Sequence, residues 1–210
     1  MPNSSCPAVA PCAGARLGAD VSTGGNRDFS AFTVLHRDSG KIVCDYKAKI
    51  PIEEYGKILA RIAKYYNNAL LGVENNSGYG LLCIRKVIEV GYENIYQTVD
   101  MATGKERKTM GWTTSMKTRP LMITELMEAI NLYAIGMSSR RLVDEFTTFV
   151  WNNDKAESMT GKNDDLVMAT AIAWQMRKYA QVDASTFFPL EAEGLPMEHP
   201  LEQFKWVLGR

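Results

Sequence analysis

Residues 17–49 read LGADVSTGGNRDFSAFTVLHRDSGKIVCDYKAK, and their pattern decides the fold class. Residues 17–23 form a short apolar stretch broken by Asp20 and closed by the turn Gly24-Gly25-Asn26. Residues 29–37 and 41–49 are strand-like and flank Asp38-Ser39-Gly40, the signal of a strand, a tight turn and a returning strand. Three consecutive antiparallel strands are therefore predicted. Beyond Pro51 the period changes: Ile52, Tyr55, Ile58, Leu59, Ile62, Tyr65 and Tyr66 recur at helical spacing, and Asn67-Asn68 ends the helix. Residues 69–73 (ALLGV) are a short apolar strand that runs straight into Glu74. A meander followed by alternating helix and strand predicts an α/β mixed sheet with helices on both faces, not a doubly wound parallel sheet.

Downstream, a turn at 75–78 precedes a helix over 81–90, ended by Gly91, and a strand over 94–98. Residues 100–117 are polar, basic and glycine-containing, which reads as a hairpin or mobile loop. Pro120 opens a helix over 121–133, and Ser138 or Ser139 is placed to cap another that runs to about 148. Residues 152–162 read as loop. Residues 166–174 (LVMATAIAW) are apolar on every side and predict a buried helix. The expected organisation is a disordered leader or cloning remnant over 1–16, one domain over 17–180, and an irregular, proline-interrupted tail over 181–210.

Composition removes several classes of function. Lys plus Arg number 24 and Asp plus Glu number 24, so a globally basic nucleic-acid binder is excluded, although a local basic patch is not. No apolar run reaches the ~20 residues of a membrane-spanning helix. The two histidines, His36 and His199, lie in no nucleophile motif and at no metal-ligand spacing, which argues against Ser/His/Asp hydrolases and histidine-rich zinc sites. Cys6, Cys12, Cys44 and Cys83 form no CxxC pair and are expected as reduced thiols.

Acidic residues break apolar elements at three places. Asp20 interrupts the first strand, Glu74 ends ALLGV, and Asp164-Asp165 opens the buried helix. Each has an ordinary reading as well: a turn aspartate, a solvated strand end and a helix cap. Acids gathered at one point repel unless a cation sits among them, and oxygen ligands without His or Cys favour magnesium or manganese.

These stretches carry a resemblance. GADVSTGGNRDFSAFTVL (18–35), GVENNSGYG (72–80), GWTTSMKTRP (111–120) and GKNDDLVMATAIAW (161–174) resemble the nuclease domain of the large terminase subunit of tailed bacteriophages, of the ribonuclease H/RuvC-like superfamily. The resemblance implies a ribonuclease H-like fold. It also implies an endonuclease that cuts double-stranded viral DNA during genome packaging, with two Mg2+ or Mn2+ ions as cofactors. The family's acids fall on Asp20, Glu74, Asp164 and Asp165, with Asp165 best matching the last one and Asp28 matching a further acidic position. The implied partners are DNA, the terminase ATPase domain, the small terminase subunit and the portal. The implied location is the cytoplasm of the bacterial host.

No Walker A loop, GxxxxGK[ST], occurs, so ATP is not bound in that way, as expected of an excised domain or a truncated gene product. Between Lys105 and Arg119, the side chains of Lys105, Arg107, Lys108, Lys117 and Arg119 stand against Glu106 alone, a local basic segment suited to phosphate contacts. Trp112 is expected as a buried anchor at its base. The competing expectations are another nuclease of the superfamily, such as a Holliday-junction resolvase or ribonuclease H, and a non-catalytic DNA- or motor-docking module.

Overall fold

The computed structural model of the chain describes residues 14–23, 29–76, 78–100, 107–152 and 155–179. The leader and tail predicted over 1–16 and 181–210 fall mostly or wholly outside them. Strands β1 (Ala15–Asp20), β2 (Ser30–His36) and β3 (Ile42–Ala48) form the predicted antiparallel meander. Helix α1 (Ile52–Tyr65) then crosses one face and delivers β4 (Leu70–Val73) parallel to β1, giving the order β3-β2-β1-β4. The helix stops where Asn67 and Asn68 both take φ of 54°, a left-handed conformation that asparagine tolerates.

After β4 come α2 (Gly78–Glu89), the hairpin β5 (Gln97–Asp100) and β6 (Arg107–Met110), α3 (Thr118–Asn131) and α4 (Arg140–Thr147). A second hairpin, β7 (Phe149–Asn152) with β8 (Lys155–Ser158), precedes α5 (Asp165–Gln175) and a final 3-10 turn. The chain is an α/β protein with a mixed sheet covered on both faces. On one face Leu17, Ala19, Phe32 and Val34 pack against Ile58, Leu59 and Ile62 of α1 and Cys83 of α2. On the other, Ala31 and Leu35 meet Leu166, Val167 and Ile172 of α5, with Leu126 of α3 and Leu142 of α4 behind them. Helix α5 is apolar all round because the sheet lies on one side of it and α3 and α4 on the other. Its buried Thr170 hydroxyl is satisfied by Thr33, 3.0 Å away.

Three local expectations change. Residues 149–152 and 155–158, which include part of the predicted loop, form the antiparallel pair β7–β8; two four-residue strands are too short to show a period. The strand expected at 94–98 splits: Asn94 and Tyr96 hydrogen-bond to Leu71 of β4, at 3.0 and 2.8 Å, and the regular strand starts at Gln97. Cys44 is disulfide-bonded rather than reduced. Among the described residues Cys83 is free, and burial pushes its thiol up to about 12, which makes it inert. No helix of the described residues is long and apolar enough to cross a membrane.

Candidate active site

Because β1 and β4 run parallel, their carboxyl ends lie at one edge of the sheet. Ala19 is in register with Val73, and the Glu74 N–H donates to the Ala19 carbonyl at 2.8 Å, which places Asp20 and Glu74 side by side. Strand alternation puts both on the face that α5 covers, since Gly18, two residues before Asp20, lies directly beneath Ala169 and Ala173 of that helix. Helix α5 begins with Asp165 over the same edge.

The electrostatics record this convergence. The Asp20 carboxyl is pushed well above the usual carboxylate range, first by burial, then by the charges of Glu74 and Asp165, by a side-chain hydrogen bond with Glu74, and by Asp164. Three separate elements thus bring the acids marked in the sequence into one field.

The cap reading of the Asp164-Asp165 pair does not hold. Asp164 occupies the N-cap position of α5 but makes no side-chain cap hydrogen bond. The cap comes from another helix: Glu145 of α4 accepts from the backbone N–H groups of Leu166 and Val167, at 2.9 and 3.4 Å. The two aspartates are paired with cations instead. Arg119 of α3 lies 2.9 Å from Asp164, and Lys47 of β3 lies 2.8 Å from Asp165 while also pairing with Glu145. Burial raises the carboxyls of both Asp165 and Glu145, with Lys47 opposing the rise in each case.

Glu74 is braced from the opposite side. The Asn76 side-chain amide donates to it at 3.1 Å, and its backbone bridges to Trp112 just beyond β6. Asn75 accepts from the Thr113 hydroxyl at 3.0 Å, and the Thr114 N–H donates to Asn76 at 2.8 Å. Gly80 lets the start of α2 press against this turn, since a Cβ there would meet the Glu74 carbonyl oxygen at 2.0 Å. Trp112 is 8% exposed and packs at 5.3 Å on Tyr96, a buried anchor at the hairpin base.

The basic residues are dispersed. Lys108 is exposed on β6, opposite Val99, with Arg107 next to it in the strand; Lys117 is exposed just before α3; Arg119 is turned in to Asp164. Lys105 and Asp28 lie outside the described residues. Two residues of the site escaped the sequence reading, Lys47 and Glu145. Lys47 left a faint signal, since Asp45 and Lys47 place charges at alternate, helix-facing positions of a strand where apolar residues are the rule; Glu145 left none.

Asp20, Glu74, Asp164 and Asp165 offer only carboxylate oxygens, a donor set suited to a hard divalent cation. Among the described residues no three His, Cys, Asp or Glu side chains are already drawn together in metal-holding geometry. Lys47 and Arg119 hold two of the four acids.

No protein-family model matches the chain, and no curated protein does. Solved structures do match. The large terminase nuclease from thermophilic phage G20c with bound cobalt superposes with a TM-score of 0.60 at 19% identity, over 77% of this chain and 80% of that one. The same nuclease with bound magnesium gives 0.60 at 19% identity over the same shares. The large terminase nuclease domain of Thermus phage P74-26 gives 0.58 at 18% identity, over 78% of this chain and 79% of its own.

Proposed function

We propose that this chain, which has the fold of phage large terminase nuclease domains, is a metal-dependent endonuclease that cuts double-stranded DNA during genome packaging. The observation that carries the reading is the placement of Asp20 and Glu74 side by side at the shared end of two parallel strands, under the end of α5 that carries Asp165. Asp20, central to the cluster, would hold two Mg2+ or Mn2+ ions, with Glu74 and the Asp164-Asp165 pair completing their shells. When bound, such ions supply Lewis-acid activation of a water and neutralise charge at the scissile phosphate. The protein's own part is orientation. The sheet edge fixes Asp20 and Glu74, and Glu145 fixes the end of α5. By this reading the chain works in the cytoplasm of the bacterial host, beside the packaging ATPase, the small terminase subunit and the portal.

The test is relaxation and linearisation of a supercoiled plasmid. Cleavage is expected with Mg2+ or Mn2+ and none after chelation. Intact plasmid under every divalent ion, with protein shown to be folded by circular dichroism, would rule the reading out.

The β5–β6 hairpin is proposed to grip DNA phosphates through Lys105, Arg107 and Lys108. Replacing all three with Ala is expected to weaken binding equally for unrelated duplexes and to flatten the salt dependence by ~0.9 in slope per lost phosphate contact. Fluorescence-anisotropy titrations across salt concentrations check this. An unchanged slope would assign the hairpin to a protein partner instead.

A further inference from the structure

Asp20 of β1 is in register with Ala31 of β2, and Ala31 with Lys47 of β3, so Lys47, Ala31 and Asp20 form one row across the sheet. Directly opposed residues of antiparallel strands point to the same face. Ala31, fully buried between the other two, is small enough for the lysine stem to pass over it. The Lys47 side chain is 13% exposed, and its ammonium lies between Glu145 and Asp165, 4.7 Å from the centroid of the Phe29 ring.

Lys47 is also one rung of a ladder. Asp45 and Lys47, two apart on β3, pair with Arg141 and Glu145, four apart on α4. The spacings match, since two strand residues span ~6.6 Å and four helical residues ~6 Å. The Asp45–Arg141 rung, at 2.8 Å, only joins α4 to the sheet. The Lys47–Glu145 rung does more. Glu145 binds the first turn of α5 through two backbone N–H groups, and Lys47 binds the carboxylate that this turn carries.

We propose that Lys47 and Glu145 are positioning residues of the metal site: Glu145 sets where α5 ends, and Lys47 holds the Asp165 carboxylate in one orientation beside Asp20. Glu145 has both oxygens engaged, one by Lys47 and one by α5, so it serves as a brace and not as a ligand. The ammonium also separates two carboxylates that would otherwise repel, which keeps Asp165 from swinging away. The inference rests on the nuclease reading above.

The test uses the full chain without DNA and measures Mn2+ binding from the electron paramagnetic resonance signal of free Mn2+. Lys47→Gln and Glu145→Gln are expected to weaken Mn2+ binding ~10-fold or more, the usual effect of losing a residue that orients a ligand. In plasmid cleavage the same variants should need ~10-fold more Mn2+ and recover much of their rate at saturation. Arg141→Gln breaks the other rung; it should lower Tm yet leave the Mn2+ curve in place. Unchanged or tighter Mn2+ binding in both glutamine variants overturns the proposal, because an ammonium that merely repelled cations would give tighter binding on removal. A shift of the same size in Arg141→Gln also overturns it, reducing the effect to helix docking. If Lys47→Gln does not fold, Glu145→Gln decides alone. The nuclease reading fails differently: wild type itself would neither bind Mn2+ nor cut DNA.

Discussion

Asp20→Asn protein is expected to cut plasmid DNA at least ~10³-fold more slowly than wild type while unfolding at a higher temperature in metal-free buffer at pH 7. The two halves have one cause. By the proposed function the carboxylate at the centre of the cluster would contribute several kcal/mol of charge stabilisation through bound cations, and each ~1.4 kcal/mol is a factor of ten in rate. Without cations it is a liability, because burial and the neighbouring acids raise its proton affinity far above that of an unfolded aspartate, 3.8. The sign follows from linkage. Above 3.8 the native state holds a proton that the unfolded state has lost, so stability declines as pH rises toward the higher folded value. An amide removes that decline. The checks are cleavage time courses, DNA-binding titrations that should match wild type, and Tm measured from pH 4 to 8 in chelator. Wild-type cleavage in Asp20→Asn would remove the site assignment. A lower Tm in the variant, with the pH slope unchanged, would remove the electrostatic account.

The second large effect is predicted for Gly18→Ala. A Cβ at Gly18 would stand 2.2 Å from the Ala169 carbonyl oxygen and 2.5 Å from the Ala173 nitrogen, both backbone atoms of α5. No rotamer change relieves contact with backbone, so the helix must lift from the sheet. Overpacking costs ~1–3 kcal/mol, and at the upper end a domain of this size loses roughly 10 °C in Tm. The lift acts on the site as well, since Asp165 opens that helix. A misplacement of ~1 Å costs about 10² in rate, so cleavage should fall even at temperatures where the variant is fully folded. Thermal melts and cleavage at 20 °C check both parts. A folded variant with wild-type activity would show that α5 need not lie this close.

The acids differ in how far the sequence revealed them. Asp20 and Glu74 could be singled out because one interrupts an apolar strand and the other ends one, where a carboxylate has no local use; Asp165 is told from Asp164 only by the family resemblance. Asp164 could not be told from a cap, since capping depends on whether a side chain reaches a backbone N–H. Here that bond is made by Glu145, 21 residues before Leu166, whose N–H it accepts. Glu145 itself sits in RRLVDEFT, which reads as an ordinary solvated helix.

The layered architecture is legible in the chain alone: the switches between strand and helical periods place the meander, the crossover helix and the apolar last helix in order, and backbone geometry leaves few ways to stack them. So is which acids stand at strand and helix ends, since that is a matter of position along the chain. How the charges pair is settled by tertiary packing. The Lys47–Ala31–Asp20 row depends on the register of three strands, and the ion-pair ladder depends on where α4 settles against β3. Register and docking are set by packing over the whole sheet, so partners 98 and 118 residues apart, Lys47 with Glu145 and with Asp165, leave no local pattern to read.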